Sequence, residues 1–269
     1  MTAFAHHFSF EFRIGIRNRQ LLFLMYMFPL VFYLFMGFLM AEINPFFGEG
    51  LVPAMIILAL LAATLLGLPE AIVRAREVGI YRSYKVNGVP STSILAIPAL
   101  TTMLHTAVVS LIIIVTAPLL FDAGMPTNWI YFVVTFIAVA FAAAGLGLLI
   151  GVVAPNSRVS MLVSQMVFIP SMLLAGLMLP LSQLPETFLS ISKMLPATHG
   201  MNAFNGLAMG NAADFDPWSS IAVLIVGGVV SFALASYLFS WDSQNSTRRG
   251  HPLLAILALV PYFAGILLI

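Results

Sequence analysis

Six stretches of about 20 apolar residues each, broken by short polar connections, decide what this chain can become, because a bilayer core of about 30 Å is crossed by a helix of that length. They fall at about 21–41, 51–70, 94–120, 130–153, 159–180 and 218–240. None shows the strict apolar–polar alternation of a barrel strand, so the expectation is an all-α integral membrane protein. Pro29, Pro53, Pro118 and Pro170 lie inside spans, where neighbouring helices satisfy the freed carbonyls. Composition agrees. Of 269 residues, 61% are apolar and 8% charged, against about 25% charged in a soluble domain. The net charge of +1 gives no electrostatic case for nucleic acid. With no cysteine, there is no thiolate nucleophile, disulfide or cysteine metal site.

The few charges set the orientation. Arg13, Arg17 and Arg19 precede the first span. Arg74, Arg76, Arg82 and Lys85 follow the second, Arg158 follows the fourth, and Arg248 and Arg249 follow the sixth. The other side carries Lys193 with Glu42, Glu49, Asp122, Glu186, Asp214 and Asp216. The positive-inside rule therefore puts the N-terminus in the cytoplasm of a multi-pass plasma-membrane protein. The first apolar run is too long for a signal-peptide core and lacks a small-x-small site after it, so it is expected to remain as a span.

Residues 1–20 form a separate piece. Phe4, Phe8, Phe12 and Ile16 recur every four positions and predict an amphipathic helix lying in the cytoplasmic interface. The loop AIVRAREVGIYRSYKVNGVPSTS is the most charged part of the chain. Its spacing predicts a short helix over 74–86, stopped by Asn87-Gly88 and Pro90. A connection between spans needs only a few residues, so a basic helix of its own points to a docking surface; the plainer reading is a topology signal without a partner. On the outer side, residues 181–217 are too apolar for a solvated loop. Two short helices, roughly 186–194 and 199–209, would dip into the outer leaflet or cap a cavity.

Chemistry is sparse. The chain has two lysines, Lys85 after Tyr84 and Lys193 after Ser192, so no G-x-x-x-x-G-K-[ST] phosphate loop exists. No HExxH motif is present and His6-His7 lacks metal-ligand spacing. His105 lies well inside the third span, a candidate intramembrane polar contact, or simply a neutral ring bonded to a neighbouring helix. Glu70 and Arg74 have i, i+4 spacing for an ion pair. Gly147-x-x-x-Gly151, with Gly145 beside it, would let another helix approach closely. Phe28, Met55, Met161, Met166, Phe168 and Met172 are candidate walls for a hydrophobic or amphipathic cargo.

Two stretches resemble a known family. REVGIYRSYKVNGVP, residues 76–90, resembles the first intracellular loop of type-2 permeases of ATP-binding-cassette (ABC) exporters, with Glu77, Gly79, Lys85 and Pro90 matching. GLMLPLSQLPETFLSISKMLPATHGMNAFNGLAMG, residues 176–210, resembles that family's region after the fifth span. The matching positions are Gly176, Pro180, Pro185 and Pro196, with Ala197 set between Pro196 and Thr198.

The resemblance implies a permease without its own ATPase site, paired with a second permease subunit, as homo- or heterodimer, and two ABC ATPase subunits that hold ATP and magnesium. The helix in the first cytoplasmic loop would couple to the ATPase through Arg76, Glu77, Tyr81, Arg82 and Lys85. The outer segment would form a gate with Pro180, Pro185, Phe188, Pro196 and His199. The path would be lined mainly by the second and fifth spans. An ion-coupled secondary transporter would need mid-span acids and repeat symmetry, which the sequence lacks. An intramembrane lipid enzyme would need a convergent catalytic set, also absent. Residues 252–269 depart from the six-span pattern. They are uncharged, hold Pro252 and Pro261, and reach roughly 27 Å as an α-helix. They are expected to form a seventh span with the C-terminus outside.

Overall fold

The computed structural model describes residues 2–43, 47–242 and 250–268. Among the described residues there is no strand. Six helices are long and apolar enough to cross a membrane: Arg19–Met40, Gly48–Glu77, Ser91–Phe121, Trp129–Val153, Ser157–Leu174 and Pro217–Leu238. These overlap the six expected spans with two departures: the second runs on past 70 to Glu77, and the fifth stops at Leu174, short of 180. Ala175 ends it, and Gly176 takes a left-handed φ of 82°, which a helix cannot continue through.

The second span is the centre of the molecule. Its apolar window is 94% buried, whereas the first and fifth spans are 28% and 22% buried. The fourth span lies against it through the predicted glycines. A methyl group on Gly147 would overlap the Thr64 carbonyl oxygen, and one on Gly151 would meet the Pro69 Cα at 3.0 Å. Gly145 faces the other way, against Gly228 and Ser231 of the sixth span.

Prolines leave a recognisable mark. The first and second spans each contain a widened π turn, Phe23–Met27 and Ala62–Gly67. Each ends two residues before a proline, Pro29 and Pro69. A proline has no N–H to return to the carbonyl four residues back, and a widened turn accommodates the resulting misfit. The first and third spans run parallel, joined by Tyr26 to His105 Nδ1 at 2.7 Å and Tyr33 to Thr116 at 3.0 Å.

The segment after Gly250 runs antiparallel beside the sixth span. Gly250 sits against Tyr237 and Leu238, Gly227 against Tyr262, and Gly265 against Val223 and His199. Pro252–Leu259 is a 3₁₀ helix and Val260–Leu268 an α-helix. The 3₁₀ part rises about 2 Å per residue, so the whole reaches about 30 Å. That removes the shortfall expected of an α-helix. Arg248 and Arg249, which precede it, lie outside the described residues.

We expect Gly147→Ala to cost about 1–3 kcal/mol, because the new methyl meets backbone that cannot rotate away. Its apparent Tm in detergent should fall below that of Gly124→Ala, where a Cβ meets nothing within 4 Å. Equal Tm values would refute the close approach.

Candidate functional site

The cytoplasmic loop folds differently from the expected single helix over 74–86. Residues up to Glu77 continue the second span. Gly79 then takes a φ of 79° and a new helix, Ile80–Val86, begins. Only glycine adopts that backbone without strain, so the break falls where the sequence places one. Asn87 and left-handed Gly88 end this helix, and Pro90 caps the third span, as expected.

The five coupling candidates separate into two groups. Arg76 is buried and donates to the Val152 carbonyl at 2.7 Å and to the Ala154 carbonyl. A guanidinium thus closes the C-terminal end of the fourth span, where unpaired carbonyls and the helix dipole favour a cation. Glu77 accepts from the Ser157 N–H and hydroxyl, each at 3.4 Å, at the N-terminal end of the fifth span, where an anion is favoured. Tyr81 is buried against Phe239, with ring centroids 5.5 Å apart; burial, then the nearby Glu11 charge, push its hydroxyl pKa up. Arg82 pairs with Asp242 at 2.7 Å while remaining half exposed. Lys85 is exposed. The tip is apolar as well as basic: Val86 is 87% exposed, Val78 66% and Ile80 43%.

Glu70 and Arg74 do not form the expected pair. Among the described residues, ion pairs join Arg82 to Asp242 and, at 3.7 Å, His7 to Glu11. Glu70 instead lines a cleft of about 680 Å³ between the first, second and fifth spans, with Phe28, Leu66, Met161, Ser164 and Gln165. The fifth span packs on the second, but the second gives this cleft only Leu66 and Glu70, whereas the first span supplies Gln20, Phe23, Leu24 and Phe28. Of the candidate apolar walls, Phe28 and Met161 face the cleft, Met166 is exposed, and Met172 is half-buried. Met55 and Phe168 are core residues.

His105 is a latch between helices. Its ring stacks on Phe12 of the N-terminal helix Thr2–Arg17, 4.4 Å between centroids, beneath Gly15, while Nδ1 meets Tyr26. Thr101 and Thr106 bond their own helix's carbonyls instead. The N-terminal helix is rotated from expectation. His7, Glu11, Ile14 and Gly15 turn toward the protein, whereas Ile16 is exposed. Phe8 and Phe12 are half-buried as expected, and the Phe4 side chain lies outside the described residues.

On the outer side, the helices are Glu186–Ser192 and Pro196–Ala203, the second starting three residues earlier than expected because Pro196 occupies its first turn. The gate candidates divide. Pro196 and His199 are buried; Pro180, Pro185 and Phe188 are exposed. Pro180 rims an outer cavity of about 310 Å³ that also touches Glu49, Asn205 and Asp214. Thr198 ties the two helices together, donating to the Ser192 carbonyl at 2.7 Å. Asn202, which no sequence pattern singled out, accepts from the Asp214 and Phe215 N–H groups and donates to the Phe215 carbonyl and Ser220. A buried amide with both ends satisfied fixes this segment to the sixth span. Among the described residues no group of acids and histidines could hold a metal.

His199 Nε2 donates to the Lys193 carbonyl at 2.9 Å, and the ring lies against Phe215 and Tyr262. Burial pushes its pKa down from 6.5 to about 4; the Lys193 charge adds to this and the carbonyl contact opposes it. The neutral ring therefore stabilises the fold above pH 6.5, and that contribution is lost as the pH falls toward 4. Across that window it amounts to about 3 kcal/mol. Melting curves should show apparent Tm falling through this range, and His199→Gln should flatten the fall. An equally steep fall in the variant would overturn the assignment.

Compared with known families, residues 2–209 match the family described as ABC-2 type transporter. No curated protein and no solved structure matches the chain.

Proposed function

This chain belongs to the ABC-2 type transporter family, and from that premise we propose that it is the membrane subunit of an exporter that moves a hydrophobic or amphipathic compound outward. The observation that carries this reading is the loop helix Ile80–Val86. With Val78 just before it, this helix presents Ile80 and Val86 to water beside Arg82 and Lys85. Apolar side chains grouped on a basic tip suit a protein partner, because their solvation is unfavourable until covered. The partner is an ABC ATPase, present in two copies, that holds ATP and magnesium. Lys85 and the exposed valines touch it; Arg76 and Glu77 hold the loop in place from behind.

A second permease subunit covers the weakly buried first and fifth spans and closes the cleft between them. Its lining mixes Phe28 and Met161 with Ser160, Ser164 and Gln165, which suits an efflux cargo with an apolar body and a few hydrogen-bonding groups. Cargo leaves past the outer cavity at Pro180. The N-terminus is cytoplasmic, and the segment 250–268 crosses the membrane as a seventh span.

Two measurements test this reading. The permease and its ATPase partner, reconstituted in vesicles, should move a hydrophobic fluorescent dye only with ATP and magnesium. Val86→Asp with Lys85→Glu should abolish that movement while leaving the apparent Tm of the permease unchanged. Undiminished transport by this variant would sink the docking role. For the seventh span, a reporter active only in the cytoplasm and fused after Ile269 should stay silent. A strong signal would show that the tail does not cross.

A further inference from the structure

A second cavity, of about 460 Å³, lies beneath the N-terminal helix, walled by the cytoplasmic ends of the second and third spans and by the loop helix. It is separate from the cleft beside the fifth span and plays no part in the transport reading above. Its membrane end is mainly apolar, with Leu21, Met25, Leu68 and Ile94, beside Thr101, Thr102 and His105 of the third span. Its cytoplasmic end carries two charges of opposite sign on different walls: Glu11 on the N-terminal helix and Arg74 on the extension of the second span.

Neither charge has an opposite ionic partner of matching strength among the described residues. Glu11 is 3.7 Å from His7, whose own pKa burial pushes down, so that ring is a poor cation. Burial likewise pushes the Glu11 pKa up. Tyr84, beside His7 at 5.2 Å between ring centroids, also faces the cavity.

We propose that this cavity holds one inner-leaflet phospholipid bearing a free amine. The ammonium sits at Glu11, the phosphate at Arg74, and one acyl chain runs along Leu21, Met25 and Leu68. Charge complementarity selects this occupant. An anionic lipid would satisfy Arg74 and leave the carboxylate desolvated, and a cationic amphiphile would satisfy Glu11 but face the like charge of Arg74. A zwitterion answers both, and its N–H groups give Glu11 the charge-assisted hydrogen bonds that a quaternary ammonium lacks. The site lies under an interfacial helix, at the depth where headgroups meet chains. The lipid so held would brace the N-terminal helix against the loop helix.

The test is native mass spectrometry of the full chain released from mild detergent with added phosphatidylethanolamine, phosphatidylcholine or phosphatidylglycerol of identical chains. Phosphatidylethanolamine should be retained roughly tenfold better than either competitor, the worth of a charge-assisted hydrogen bond. Glu11→Gln should erase the preference, and Arg74→Gln should weaken retention. Arg13→Gln, exposed on the same helix, should change neither. Equal retention of the three lipids, a preference for phosphatidylglycerol, or a preference untouched by Glu11→Gln would overturn the proposal. Apparent Tm of each variant separates lost binding from lost folding.

Discussion

The backbone-to-backbone contact between the second and fourth spans, Gly147 against the Thr64 carbonyl, is the constraint on which the rest of the structure depends. Between helices in lipid there is no hydrophobic force to gather them, so packing distance and hydrogen bonds decide which helices associate. A missing side chain at Gly147 and another at Gly151 let the fourth span settle into the second where its π turn widens the helix. The second span becomes a buried post on which the first, third, fourth and fifth pack, while the sixth joins the assembly through the fourth. The first and fifth spans are left with most of their surface uncovered. A single packing choice therefore determines which helices remain to meet lipid or another subunit.

The same post carries the cytoplasmic machinery. Below Pro69 the helix continues unbroken to Glu77, so the loop helix hangs from the most buried element in the chain. Arg76 and Glu77 grip both sides of the turn from the fourth to the fifth span, each placed at the helix end whose dipole it complements. Tyr81 packs on Phe239 and Arg82 pairs with Asp242, which tie the loop helix to the end of the sixth span. The exposed tip thus continues from the second span and is tied to the fourth, fifth and sixth through specific side chains.

The spans were legible because a bilayer tests one property, apolar length, and the sequence writes that property plainly. The glycines of the fourth span were legible as a packing motif, though not which helix they would meet. The break at Gly79 and the early stop at Gly176 were harder, because a glycine within a helical pattern signals either tolerance or a turn. Arg76 illustrates a deeper limit. Its position among loop basics is the same whether it faces a partner or a helix end; only the arrival of Val152 and Ala154 from a distant part of the chain decides. No sequence pattern marks Glu11, Tyr26 or Asn202, for the same reason. Each is an ordinary polar residue whose role is created by its neighbours in space.

The C-terminal segment shows how a short sequence meets a fixed thickness. A 3₁₀ run of eight residues has poorer hydrogen-bond geometry than an α-helix and is seldom so long. Here Pro252 opens it, and Pro261, having no N–H, withholds the α-type bond that would reach back to Leu257. The α-helix is therefore weakened where the 3₁₀ form gains length. In return the segment lies close along the sixth span, with Tyr262 set over Gly227 and Gly265 beside His199. An α-helix from the same start would leave Gly265 short of His199 by about 4 Å, since each of the eight residues would rise about 0.5 Å less. The glycine that lets the segment lie close to the outer histidine would then be out of register with it, and Tyr262 would no longer lie over Gly227.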